Sequence, residues 1–84
     1  MNCFIISFPT TTQAMMMRVV ASREGLPGRI IPVPRRLSAG CGMAWAVPAE
    51  CEQAIRDAIK QHGIQFAAAE VMEYDLRYRN GRKS

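Results

Sequence analysis

The chain has 84 residues, nearly half of them apolar and about a fifth charged, with a net charge of +4 at neutral pH. Such a chain makes one folded domain near the lower size limit for an independent core, and it is too apolar for disorder. No apolar run approaches the roughly 18 residues that span a bilayer, so no membrane association is expected.

Three cysteines, Cys3, Cys41 and Cys51, lie far apart and form no Cys-x-x-Cys pair. That spacing argues against a disulfide framework and against a structural zinc site, which needs four ligands at short paired spacings. Neither a metal nor a cofactor is expected. The first residues, Met1-Asn2-Cys3-Phe4-Ile5-Ile6-Ser7-Phe8, lack a basic leader region and end at Pro9, so they read as a strand and not a signal peptide. A cytoplasmic location is the expectation that follows.

In chain order, residues 3–8 alternate, with Phe4, Ile6 and Phe8 on one side and Cys3, Ile5 and Ser7 on the other. Both rows are largely apolar, which suits a central strand. Thr10, Thr11 and Thr12 offer N-cap hydroxyls to a helix that runs to about Glu24, where Gly25 and then Pro27 stop it. The run Met15-Met16-Met17 points in different directions at helical spacing and reads as flexible packing, not a copper site.

Arg29–Val33 reads as a second strand. Pro32 and Pro34 have no backbone donor, which assigns it to a sheet edge. A loop from Arg35 to Cys41 leads into a third strand over Gly42–Val47, with Trp45 as a packing residue. Pro48 is expected at the first position of a second helix, with Glu50 and Glu52 favourable in its first turn. Cys51, Ala54, Ile55, Ala58 and Ile59 form its apolar stripe, so Cys51 reads as a buried helix residue. His62 falls at the helix end, where a cation suits the dipole, and Gly63 closes the element. A last strand is expected from about Gln65 to Glu73.

The order strand, helix, strand, strand, helix, strand predicts a ferredoxin-like α+β sandwich: a four-stranded antiparallel sheet with two helices on one face. Strands one and three are then central. The opposite face has no element left to cover it, so Ile5 or Trp45 is expected to be exposed, and a homodimer through that face is a candidate arrangement. The domain is expected to span residues 1–78, with residues 79–84 as a basic tail. That tail reads as a solvated terminus and not as a nucleic-acid contact, since no aromatic RNA-binding signature accompanies it.

The chemistry-bearing segment is Ile31-Pro32-Val33-Pro34-Arg35-Arg36-Leu37-Ser38-Ala39-Gly40-Cys41-Gly42. It sets a thiol between two glycines just after a doubly basic stretch, a setting that favours a nucleophilic thiolate. Gly40 and Gly42 remove bulk on both sides, and their N–H groups are candidates for an anion nest. Arg35 or Arg36 would add positive charge if the loop folds back. The bland reading stands level with it on the residues alone: the glycines shape a turn and Cys41 packs as a small hydrophobe. No His, Asp or Glu lies within a few residues, so a Cys-His hydrolase lacks its base.

Three stretches carry a resemblance: Phe8 with the threonines after it, Gly28-Arg29-Ile30-Ile31-Pro32-Val33-Pro34-Arg35, and Leu37-Ser38-Ala39-Gly40-Cys41-Gly42. Together they resemble the small bacterial domains of the selenium/sulfur carrier-like family. The resemblance implies that Cys41 accepts sulfur or selenium as a persulfide or selenosulfide, and that Arg35, Ser38, Gly40 and Gly42 bind around it. It also implies donor and acceptor proteins, a cysteine desulfurase among them, and a carrier rather than an enzyme with turnover. The chain lacks the Cys-Pro-x-Pro motif of other sulfur carriers. The alternative is a non-covalent module that binds a small anion through the glycine-rich loop and Arg35. A weaker third is a docking domain that uses the basic tail.

Overall fold

The computed structural model describes residues 1–37 and 40–76. Its elements are β1 (Asn2–Ser7), α1 (Thr11–Glu24), β2 (Arg29–Pro32), β3 (Met43–Pro48), a single 3₁₀ turn (Ala49–Cys51), α2 (Glu52–His62) and β4 (Ala68–Glu73). The strands form one antiparallel sheet in the order β2-β3-β1-β4, the ferredoxin-like α+β arrangement. β1 and β3 are central, and the proline-bearing β2 is an edge.

Local chemistry sets the helix ends. Thr10 caps α1 by accepting a hydrogen bond from the Gln13 N–H at 3.3 Å, and Gly25 closes it in the left-handed region, its N–H donating to the Ala21 carbonyl. α2 ends the same way at Gly63.

The second helix starts later than its proline suggests. Pro48 is extended (φ −55°, ψ 144°), and it closes β3 opposite Cys3. At the end of a strand its missing N–H disrupts nothing. The 3₁₀ turn follows, and α2 begins only at Glu52. Cys51 is therefore a half-buried turn residue and not a buried helix residue; Ala54 is exposed, and Ile55, Ala58 and Ile59 carry the buried stripe. β4 likewise starts at Ala68, after the Ala67 N–H donates to the Ser7 carbonyl at 2.7 Å.

Both faces of the sheet are covered. On the helix side Phe4, Ile6, Phe8, Trp45 and Val47 pack against Ala14, Met17, Val20, Ile55 and Ile59. On the other side Cys3, Ile5, Ile31, Ala44 and Ala46 are roofed by Val33 and Leu37 from the β2–β3 loop and by Tyr74 and Leu76 after β4. Arg36 reaches over this roof to pair with Glu70 of β4. The Tyr74 carbonyl accepts from the Cys3 thiol at 3.4 Å.

The expected exposure of Ile5 or Trp45 is thus corrected. Ile5 is fully buried under the loop residues. Trp45 sits opposite Ile6, so the register turns it toward the helices, and its indole N–H donates to the Pro27 carbonyl at 3.2 Å. The bare face from which a homodimer was expected is, among the described residues, occupied by Val33, Leu37, Tyr74 and Leu76.

Candidate functional site

The β2–β3 loop is drawn together at its neck, where the Val33 N–H donates to the Gly42 carbonyl at 3.0 Å. Within it a turn closes from the Leu37 N–H to the Pro34 carbonyl, also at 3.0 Å. Cys41 sits just inside the neck. Its two glycines serve different ends. A side chain on Gly40 would collide with the Pro9 carbonyl oxygen, so residue 40 must be glycine for the loop to lie on the β1–α1 corner. Gly42 has open space around it but a φ of 75°, the left-handed region that side chains disfavour.

Held in this way, Cys41 is half-buried against the helix-side core. Its Sγ lies 3.4 Å from the Phe8 carbonyl oxygen and 3.8 Å from that of Met43, both acceptors for the thiol proton. Phe8 leads directly into the Thr10 cap, so the N-terminus of α1 lies at the same end of the sheet as the thiol. No acidic residue stands in the first turn of α1, which leaves the positive end of the helix dipole uncompensated.

The arginines take separate paths. Arg35 is exposed in the loop turn, and no hydrogen bond joins it to Cys41. Arg36 does fold back, but onto Glu70 on the roofed face, away from the helix-side cluster that holds Cys41. Ser38 lies outside the described residues. The predicted site therefore reduces, in the geometry seen, to Cys41 with Gly40 and Gly42, and Arg35 stands in the same loop.

The Phe8 and Met43 carbonyls beside the thiol, and the Pro9 carbonyl against Gly40, carry no signal in residue type, since any residue supplies one. The close approach at Gly40 did have a signal, a glycine beside the cysteine. Its more immediate use is backbone packing, not access.

The other thiols differ in kind. Cys3 is fully buried on the roofed face. Burial, the largest cause, pushes its thiol above the usual range; the Glu73 and Asp75 carboxylates add to this, and the Met1 amine opposes it. The sheet separates it from Cys41. Cys51 sits past the far end of β3, about 20 Å of strand away from the loop. All three cysteines are free, and no group of three or more metal-binding side chains occurs among the described residues. No helix among these residues is long and apolar enough to cross a membrane.

No curated protein and no solved structure matches the chain. A family model does match, over residues 3–69, and its description is "Putative Se/S carrier protein-like". The match runs from β1 into β4 and takes in the whole Cys41 loop. With most of its length matched from the first strand through the thiol loop and both helices, the chain belongs to the Se/S carrier-like family.

Proposed function

We propose that the protein is a sulfur or selenium carrier, with Cys41 as the atom-carrying residue. The observation that supports this most is the contrast among the thiols: Cys41 alone combines partial exposure, a glycine on each side and a helix N-terminus at its end of the sheet. The family it belongs to points the same way.

In the loading step the Cys41 thiolate attacks the outer sulfur of a donor persulfide. A new S–S bond forms at Cys41 as the donor's S–S bond breaks, and the electron pair leaves on the donor sulfur. The proton lost by Cys41 ends on the departing donor thiol, so the exchange needs no outside oxidant or reductant. The added sulfur extends about 2 Å beyond Sγ, which carries the reactive atom outward from a half-buried position. Gly42 leaves that side of the approach clear. Arg35 and Ser38 are the loop's candidates to meet the incoming group. A carrier of this kind suits a reducing compartment such as the cytoplasm, where Cys3, Cys41 and Cys51 stay free.

An anion held without covalent bonding is less well supported, because the β1–α1 corner turns the Phe8 and Pro9 carbonyls toward the loop where an anion needs donors. Intact mass spectrometry after incubation with a cysteine desulfurase and cysteine tests the carrier. One added sulfur is expected on the native chain and none on Cys41→Ser. A native chain that takes up no sulfur overturns the proposal, and anion affinity lost on Arg35→Ala but kept on Cys41→Ser favours the alternative.

A further inference from the structure

The two helices treat solvent differently. α2 puts its apolar residues on one side, with Gln53, Arg56, Asp57, Lys60 and Gln61 facing out. α1 buries Ala14, Met17, Val20 and Ala21, yet it also carries Met15 and Met16 at the margin of that core and Val19 outside it. Val19 is 54% exposed, and the two methionines are only half-buried. Apolar side chains kept at the surface of a small chain mark contact surfaces, and methionine adapts its shape to a partner.

This surface reaches Met43, the first residue of the strand that follows the thiol loop. Three adjoining depressions on α1 share Met15. One runs along Arg18, Val19 and Arg23, and another crosses from Met15 to Ile30, Met43 and Trp45. Met43 is the residue whose carbonyl stands 3.8 Å from the Cys41 Sγ. The depressions thus lead from Met43, two residues past the thiol, along α1, with Arg18, Arg23 and Arg29 among the residues that line them.

Charge selects the partner. Arg18 and Arg23 are exposed on α1, and its one acid, Glu24, is engaged by His62 at 2.6 Å. The surface is therefore apolar with a cationic border, and it fits a partner with acidic side chains around an apolar patch.

We infer that the outward face of α1 is the docking surface for the protein that loads Cys41, a persulfide donor whose reactive cysteine is bordered by acidic and apolar side chains. This rests on the carrier reading. Docking there sets the donor's sulfur beside the loop, while the contact stays small enough for release after each transfer.

Two sulfur sources separate the docking from the chemistry. Glutathione persulfide reaches Cys41 without docking, whereas a cysteine desulfurase must dock. Relative to the native chain, Arg18→Glu/Arg23→Glu and Val19→Asp are expected to load normally from glutathione persulfide and about tenfold more slowly from the desulfurase. Arg18→Lys/Arg23→Lys is expected to keep the native rate, and rising salt should slow only the desulfurase reaction. Circular dichroism checks that each variant is folded, and Arg18→Gln/Arg23→Gln replaces any that is not. Equal desulfurase loading by native and charge-reversed chains overturns the docking surface and leaves the carrier standing. A native chain that loads from neither source overturns the carrier, and the docking falls with it.

Discussion

The two faces of the sheet are built by different means. The helix side is filled by large side chains that two regular elements bring down onto the strands, among them Phe4, Ile6, Phe8 and Met17. The other side has mostly small residues on the central strands (Cys3, Ala44 and Ala46 around a single Ile5), and irregular chain from the β2–β3 loop and from the segment after β4 lies across them. Small residues let backbone approach closely, so a short domain closes a second core without a third helix. The same loop supplies Leu37 to one face and Cys41 to the other. Covering one face and presenting a thiol on the other are tasks of a single connection.

The largest expected difference between the faces is in thiol access. Under native conditions iodoacetamide should modify Cys41 readily, and Cys3 more slowly by a factor of about 10³ or more, because Cys3 reacts only when the roof opens. Peptide mapping over time reads this, and comparable rates would mean that the roof is not closed.

Next comes core stability. Phe4→Ala is expected to cost about 3–5 kcal/mol, and Leu37→Ala about 2 kcal/mol, since Leu37 stands on a loop and not on a helix or strand of the core. Urea unfolding of both variants measures the gap, and equal losses would make the two faces equivalent.

A smaller effect depends on pH. Folding raises the Cys3 thiol above its unfolded value, so its contribution to stability is complete below about pH 9 and is lost as pH rises through the folded value. Native protein should lose stability in that alkaline window more steeply than Cys3→Ala, by denaturant midpoint. The smallest effect belongs to the Arg36–Glu70 pair. Its arginine is 65% exposed, so Arg36→Ala should cost no more than about 1 kcal/mol. A larger loss would show that this contact, and not Leu37, holds the roof in place.

The order of elements was legible because the breaks are chemical. Pro9, Gly25, Pro27 and Gly63 stop strands and helices for reasons that hold in any context, and Pro32 in β2 with Pro34 just after it marked an edge. Pro48 was misread because proline suits both the first turn of a helix and the end of a strand, and only its pairing with Cys3 decides. The side to which Trp45 points depends on the β1–β3 register, which a single strand does not encode. The roof was invisible for a related reason: Leu37, Tyr74 and Leu76 share no period and come from segments distant in sequence. At the site, the thiol and its glycines stood out by residue type. The three carbonyls around them did not, and Arg36 found an acid that the local sequence could not announce.

Gly40 and Gly42 are irreplaceable to different degrees, and that difference is a filter on sequence change. At position 40 even a single methyl group meets the Pro9 carbonyl, so the exclusion is steric and extends to all other amino acids. At position 42 space is free and only the backbone angle resists, a penalty that asparagine and aspartate bear most lightly. Saturation of the two positions should therefore leave one survivor at 40 and a short list at 42. The thiol between them is framed by one neighbour that cannot vary and one that can.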